Sequence, residues 1–173
     1  MKRLETYRKM AMEKGTDDAV VVETPKVVTA AWVRLKCKFG CGGYGNGLCC
    51  PPFSPTPEEM RAVLDSYRIA LLLHRHAKKG RKPVVDINDV AIDLERTLFL
   101  DGYYKAWATG AGPCGRCEQC DVSGTCRNPD KARPSMEACG IDVYATARAQ
   151  GLPIEVVKNR GDAMDLYALV LVE

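Results

Sequence analysis

Ile69-Ala70-Leu71-Leu72-Leu73 is apolar at every position. Successive side chains of a strand point to opposite faces, so a strand with one wet face shows a polar residue at every second place. A strand apolar on both parities suits a sheet covered on both faces. This stretch therefore predicts a layered fold, of α/β or α+β class, with helices packed on a sheet.

The flanks supply the helices. Upstream, Thr56-Pro57-Glu58-Glu59 is a helix start: Thr56 caps, Pro57 suits the first helical position and Glu59 completes a capping box. Met60, Val63, Leu64 and Tyr67 then lie on one helical face. Downstream, Lys78-Lys79-Gly80-Arg81-Lys82 reads as a solvated basic turn. Asp86 opens the longest predicted helix, through about Ala108, with Ile87, Val90, Ala91, Leu94 and Leu98 on its apolar face. Tyr103, Tyr104 and Trp107 extend it as core aromatics. The helix is expected to end at Gly110.

Residues 2–14 form an amphipathic helix with Leu4, Tyr7, Met10 and Ala11 on one face, and Gly15 ends it. Ala19–Val22 and Val27–Arg34 read as strands. Ser135–Cys139 is a helical turn. Asp142 caps a helix to Gln150, and Gly151 suits its C-prime position. Ile154–Val157 and Leu166–Val172 are the last strands, joined as a hairpin around Asn159–Asp162. The expectation is a single layered domain over residues 1–173, with a mixed sheet of four to five strands and cysteine loops at its edge.

Those loops carry the chemistry. Cys114-Gly-Arg-Cys117-Glu-Gln-Cys120-Asp-Val-Ser-Gly-Thr-Cys126 has the spacing C-x2-C-x2-C-x5-C. Bacterial ferredoxins wrap a four-iron cluster with nearly this pattern. Structural zinc sites take two C-x2-4-C knuckles separated by a longer stretch. The loop points to a 4Fe-4S cluster on Cys114, Cys117, Cys120 and Cys126, with zinc as the alternative. Arg116 and Arg127 adjoin these thiols and either offset cluster charge or serve as ordinary surface charge. The N–H groups near Gly112, Gly115 and Gly124 are candidate donors to sulfur.

A second group precedes the capped helix: Cys37-Lys-Phe-Gly-Cys41-Gly-Gly-Tyr-Gly-Asn-Gly-Leu-Cys49-Cys50-Pro51-Pro52. Four glycines between Cys41 and Cys49 let the backbone curl around a ligand. Cys37, Cys41 and Cys50 are candidate ligands of a second metal, Cys50 because it precedes proline as the closing ferredoxin cysteine does. Neighbouring side chains diverge, which separates Cys49 from Cys50. The fourth place is open to Cys49, Cys139, a small molecule or nothing, and Cys126 could cross over. A loop of reduced, packed thiols is the competing reading. Cys37-x3-Cys41 begins like the radical-enzyme C-x3-C-x2-C loop, but residue 44 is tyrosine, which rejects it.

Composition bounds the rest. The chain has 173 residues, 46% hydrophobic and 27% charged, with net charge +3. That charge is too small to argue for nucleic acid or membrane as partner. There is no apolar run of membrane-spanning length and no signal-peptide core near Met1, so a cytoplasmic location is expected. Nine cysteines in a reducing compartment are metal ligands or catalysts sooner than disulfides. His74 and His76 alternate at a strand end and share a face, either as a surface pair or as a metal pair. GxGxxG, P-loop and G-x-S-x-G motifs are absent.

The order Cys37-x3-Cys41-x2-Tyr44…Cys50-Pro51-Pro52, Ser54–Glu58, Gly102–Ala106, Ala111-Gly-Pro-Cys114-x2-Cys117-x2-Cys120, Cys126–Pro129, Arg133–Glu137 and Gly140–Val143 resembles one prokaryotic family. It is the domain of unknown function 2284 family, of predicted metal-binding proteins. The resemblance implies cysteine-ligated metal in a cytoplasmic protein of bacteria or archaea and names no activity. Cys49 and Cys139 fall outside its pattern. The expected function is that of an iron–sulfur protein with one or two 4Fe-4S clusters, in electron transfer with an unidentified redox partner. A zinc-stabilised interaction module, and an enzyme whose open iron binds substrate, are the alternatives.

Overall fold

The computed structural model describes residues 2–78, 85–159 and 161–173. The predicted basic turn falls largely on residues 79–84 and lies outside them. Four strands form one sheet: β1 (Asp18–Glu23), β2 (Ile69–Ala77), β3 (Trp107–Ala108) and β4 (Met164–Leu171), in the order β1-β2-β4-β3. Among the described residues five α-helices accompany them: α1 (Lys2–Glu13), α2 (Ala31–Gly40), α3 (Pro57–Asp65), α4 (Ile87–Leu100) and α5 (Val143–Ala149). The class is α+β. All three strand pairings are antiparallel. The parallel component expected of a mixed sheet is confined, among the described residues, to the single bridge Gly110–Ser135.

The reading of Ile69–Leu73 holds in detail. Leu72 faces a core with Val22, Met60, Leu64, Ile141, Leu169 and Leu171, under α3 and α5. Leu71 and Leu73 face the opposite core with Ala19, Leu94, Leu98, Ala168 and Val170, under α1 and α4. All three leucines are fully buried. Each fully buried leucine contributes about 1.5–3 kcal/mol relative to exposure, so β2 anchors both layers at once. The α3 capping box is present as expected: Thr56 Oγ1 accepts from Glu59 N–H at 3.1 Å, and Glu59 Oε2 accepts from Thr56 N–H at 2.7 Å. Asp142 caps α5 by accepting from Ala145 N–H at 2.9 Å.

Three expectations fail for identifiable reasons. Val27–Arg34 is not a strand. Val27 is extended, and Thr29 makes one isolated bridge to Ile141, but no sheet edge lies alongside, and α2 starts at Ala31. The long helix stops at Leu100, not near Ala108. Gly102 at φ +99° lets Tyr103 N–H turn back to Leu98 C=O at 3.0 Å, and the chain re-emerges as β3. Tyr103, Tyr104 and Trp107 therefore lie beyond the helix. Ile154–Val157 joins no sheet. β4 is paired by β2 along its length and by β3 only at Val170 and Leu171, and residues 154–157 make no pairing with its N-terminal part.

Candidate metal centre

The cysteine loop between β3 and α5 is clamped to the outer face of α4, not carried on its end. Glu95 of α4 holds both sides of it. Its Oε2 accepts from Ala108 N–H at 2.7 Å, just before the loop. The same carboxylate takes Arg133, just after the loop, through Nε at 2.8 Å and Nη2 at 2.5 Å. Both side chains are 15% exposed, and this bidentate hydrogen bond raises the Arg133 pKa above its usual value. Asn88, the second residue of α4, accepts from Ala111 N–H at 2.7 Å and donates to Ala111 C=O at 3.2 Å. A side chain at Gly110 would put its Cβ 2.2 Å from Asn88 Oδ1. Asn88 and Glu95 were not singled out in the sequence, and Arg133 was named only within the stretch Arg133–Glu137. The signal was faint: a polar helix residue carries no mark of what it holds.

The thiols fall into two sets on adjoining cavities. The first cavity, about 630 Å³, is lined by Cys37 from α2 and by Cys41 and Cys50 from the glycine-rich curl. The second, about 300 Å³, is lined by Cys49, Cys114, Cys117, Cys120 and Cys126, with Cys50 at its border. Gly43, Cys50 and Pro113 belong to both walls. Burial pushes the Cys50 pKa up, and the neighbouring Cys41, Cys37, Cys114 and Cys120 push it further. Cys37 is raised by burial and by Cys41 and Glu137, against a lowering from Arg34. Burial, then the neighbouring Cys114 and Cys126 thiols, take the Cys49 pKa up to about 12. Cys49 thus stands with the Cys114–Cys126 loop, and Cys50 with Cys37 and Cys41. Cys37, Cys49 and Cys50 resist ionisation without a cation, and a bound metal would reverse that balance.

Cys139 belongs to neither set. It is fully buried in the core beneath α3, burial takes its pKa to about 12, and it packs as a small apolar side chain.

Backbone and amide donors reach the sulfurs. Leu48 N–H lies 3.4 Å from Cys120 Sγ, Gly43 N–H 3.4 Å from Cys41 Sγ, and Asn128 Nδ2 3.2 Å from Cys117 Sγ. Gly112, Gly115 and Gly124, expected in that role, are not among the donors found in the described residues. Leu48 carries the first cysteine segment directly onto the second set. Arg116 lines the second cavity and pairs with Asp89 of α4 at 2.6 Å, while Arg127 Nη2 reaches Gln119 C=O at 3.5 Å.

The fit to a metal rests on two observations. The donors are all sulfur, the soft set that selects zinc, copper(I) or iron–sulfur clusters. The backbone also makes room at Gly43, where an added Cβ would stand 3.1 Å from Cys50 Sγ and 3.5 Å from Cys41 Sγ. Among the described residues no three His, Cys, Asp or Glu side chains are gathered as a ready site for a single metal ion. The thiols are spread along cavity walls instead.

His74 and His76 share a face, as expected, but they meet Asp165. His74 Nε2 and His76 Nδ1 both lie 2.9 Å from Asp165 Oδ1, and His74 Nδ1 lies 3.3 Å from Asp18 Oδ2. His74 also stacks on Tyr167, with ring centroids 4.9 Å apart. The pair ties β1, β2 and β4 together, and among the described residues it is part of no group of three His, Cys, Asp or Glu side chains that could hold a metal ion.

A family model described as a predicted metal-binding protein, DUF2284, matches residues 20–172. The chain belongs to that family. Comparison with curated proteins gave no match, and comparison with solved structures gave none either. Among the described residues no helix is long and apolar enough to cross a membrane.

Proposed function

We propose that this member of the DUF2284 family is an iron–sulfur protein with two neighbouring centres, acting in electron transfer beside a redox partner. One centre rests on the Cys114–Cys126 loop. The other rests on Cys37, Cys41 and Cys50. The observation that carries the reading is the division of the thiols between two cavities with a common wall. A four-iron cube binds each thiolate to a different iron, so its ligands stand apart around a bulky body. One tetrahedral zinc draws its four ligands to a single point. Thiols dispersed along a cavity suit the former.

When bound, such a cluster gives or accepts one electron at a potential set by its surroundings. The chain's own residues supply those surroundings. Leu48 N–H and the Asn128 amide donate to Cys120 and Cys117 and so stabilise the more negative, reduced state. Glu95 and Asn88 hold the loop's backbone in place against α4. Cys50, at the border of both cavities, makes the centres close neighbours, and short separation favours electron exchange between them.

The test is metal analysis and absorption of anaerobically purified protein. Brown protein with roughly four irons per occupied site is expected. Colourless protein that takes up stoichiometric zinc after iron–sulfur reconstitution would refute the proposal and leave a zinc-stabilised module.

A further inference from the structure

The cavity beside Cys37, Cys41 and Cys50 is far larger than three thiols need. At about 630 Å³ it has the size of a small-molecule site. Its outer wall is mainly apolar, with Trp32 and Val33 of α2 facing Ile141, Val143 and Tyr144 at the start of α5. Trp32 is 46% exposed, a large aromatic left without full cover at the cavity mouth. Only three cysteines line this space. Cys114 turns to Cys49 in the other cavity, and Cys139 is in the core. Two carboxylates are on the wall. Asp142 is engaged in capping α5, and Glu137 is a hard oxygen donor at a sulfur site. Lys36 places an ammonium on the same wall.

A four-iron cluster held by Cys37, Cys41 and Cys50 would keep one iron without a protein thiolate, beside this cavity. Soft metal centres take soft donors. A fourth sulfur would complete the set at that iron. Lys36 offsets part of the added negative charge.

We infer that the cavity binds an apolar thiol, its sulfur on the metal held by Cys37, Cys41 and Cys50 and its body against Trp32 and Val143. The inference rests on the metal reading above. In the binding step the thiol proton goes to solvent and the sulfur lone pair forms the bond to metal, with no oxidation or reduction.

Metal-loaded full-length protein is titrated anaerobically with benzyl mercaptan, and with 2-mercaptoethanol as a thiol without an apolar body. Absorption of the metal–thiolate bands and metal content after gel filtration are read. Saturable binding of benzyl mercaptan, roughly tenfold or more tighter than 2-mercaptoethanol, is expected from burial of the ring. Trp32→Ala, at a partly exposed position, is expected to weaken benzyl mercaptan several-fold and to leave 2-mercaptoethanol unchanged. Equal binding of the two thiols, or no spectral response in protein with full metal, overturns the thiol site alone. Loss of metal in Glu137→Gln overturns it too, because the carboxylate then holds the fourth place. If Cys37→Ser holds as much metal as wild type, the three-thiol centre does not exist, and the metal reading of that site falls with the inference.

Discussion

Cys49 and Cys50 are consecutive in the chain, yet their thiols serve different neighbours. Cys50 lines the cavity of Cys37 and Cys41, whereas Cys49 lines the cavity of Cys114 and Cys126. The dipeptide is the joint between the two cavities. Cys50→Ser should therefore lower metal at the three-thiol site, and Cys49→Ser should loosen metal on the Cys114–Cys126 loop. Metal per chain, measured for each variant alone and combined with Cys37→Ser, checks this. The Cys37→Ser background should add nothing to Cys50→Ser and should add to Cys49→Ser. The reverse pattern would mean the pair is assigned the wrong way round.

Glu95 joins the two ends of the loop through Ala108 N–H and Arg133. Glu95→Ala removes the carboxylate partner of a partly buried guanidinium, which keeps only its Nη1 bonds to Pro129 and Ala132 C=O, and leaves the Ala108 N–H unpaired, at a cost of about 1–3 kcal/mol. Urea unfolding should show that loss, and metal should leave the loop faster on addition of chelator. A wild-type urea midpoint in Glu95→Ala would contradict the clamp.

At Gly43 a methyl group would meet Cys50 Sγ at 3.1 Å and Cys41 Sγ at 3.5 Å. Gly43→Ala is expected to keep the fold, with an unchanged far-ultraviolet spectrum, and to weaken metal at the three-thiol site. Gly42→Ala, where nothing lies within 4 Å of the added Cβ, is the matched control. Equal metal retention in both would show that the thiols do not need the space.

Burial raises the Asp165 pKa, but the hydrogen bonds from His76 and His74 outweigh it, and the carboxyl sits below its usual range. A folded-state pKa below the unfolded value of about 3.9 gives stability that is complete above that pH and fades as pH falls through it toward the folded value. Melting of metal-free protein between pH 6 and pH 3 should steepen downward below about pH 4. Asp165→Asn should start less stable and show a flatter acid limb. Parallel curves for the two proteins would remove Asp165 from the acid response.

The loop from 111 to 130 has few apolar anchors of its own, so metal contributes to its order. Hydrogen exchange should be faster there in metal-free protein, while β2 and β4 stay protected in both forms. Equal protection of the loop in both forms would place its order in the Glu95 and Asn88 contacts alone.

Much of this protein was determined by sequence alone, where the deciding interactions are local or repeat along one element. Apolar residues on both parities of Ile69–Leu73 made β2 a doubly covered strand. The Thr56–Glu59 box and Asp142 set two helix starts, because a cap acts within one turn. The spacing Cys114–Cys126 marked a compact thiol-rich loop, because residues a few positions apart stay close in space. Other features were decided only by tertiary structure. Val27–Thr29 had strand composition but made only one isolated bridge, and Ile154–Val157 had strand composition but joined no sheet. Glu95 and Asn88 look like ordinary polar helix residues until Ala108, Ala111 and Arg133 arrive from sites 13 to 38 positions away. The division between Cys49 and Cys50 likewise depends on which wall each side chain faces, and that is set by packing between distant segments.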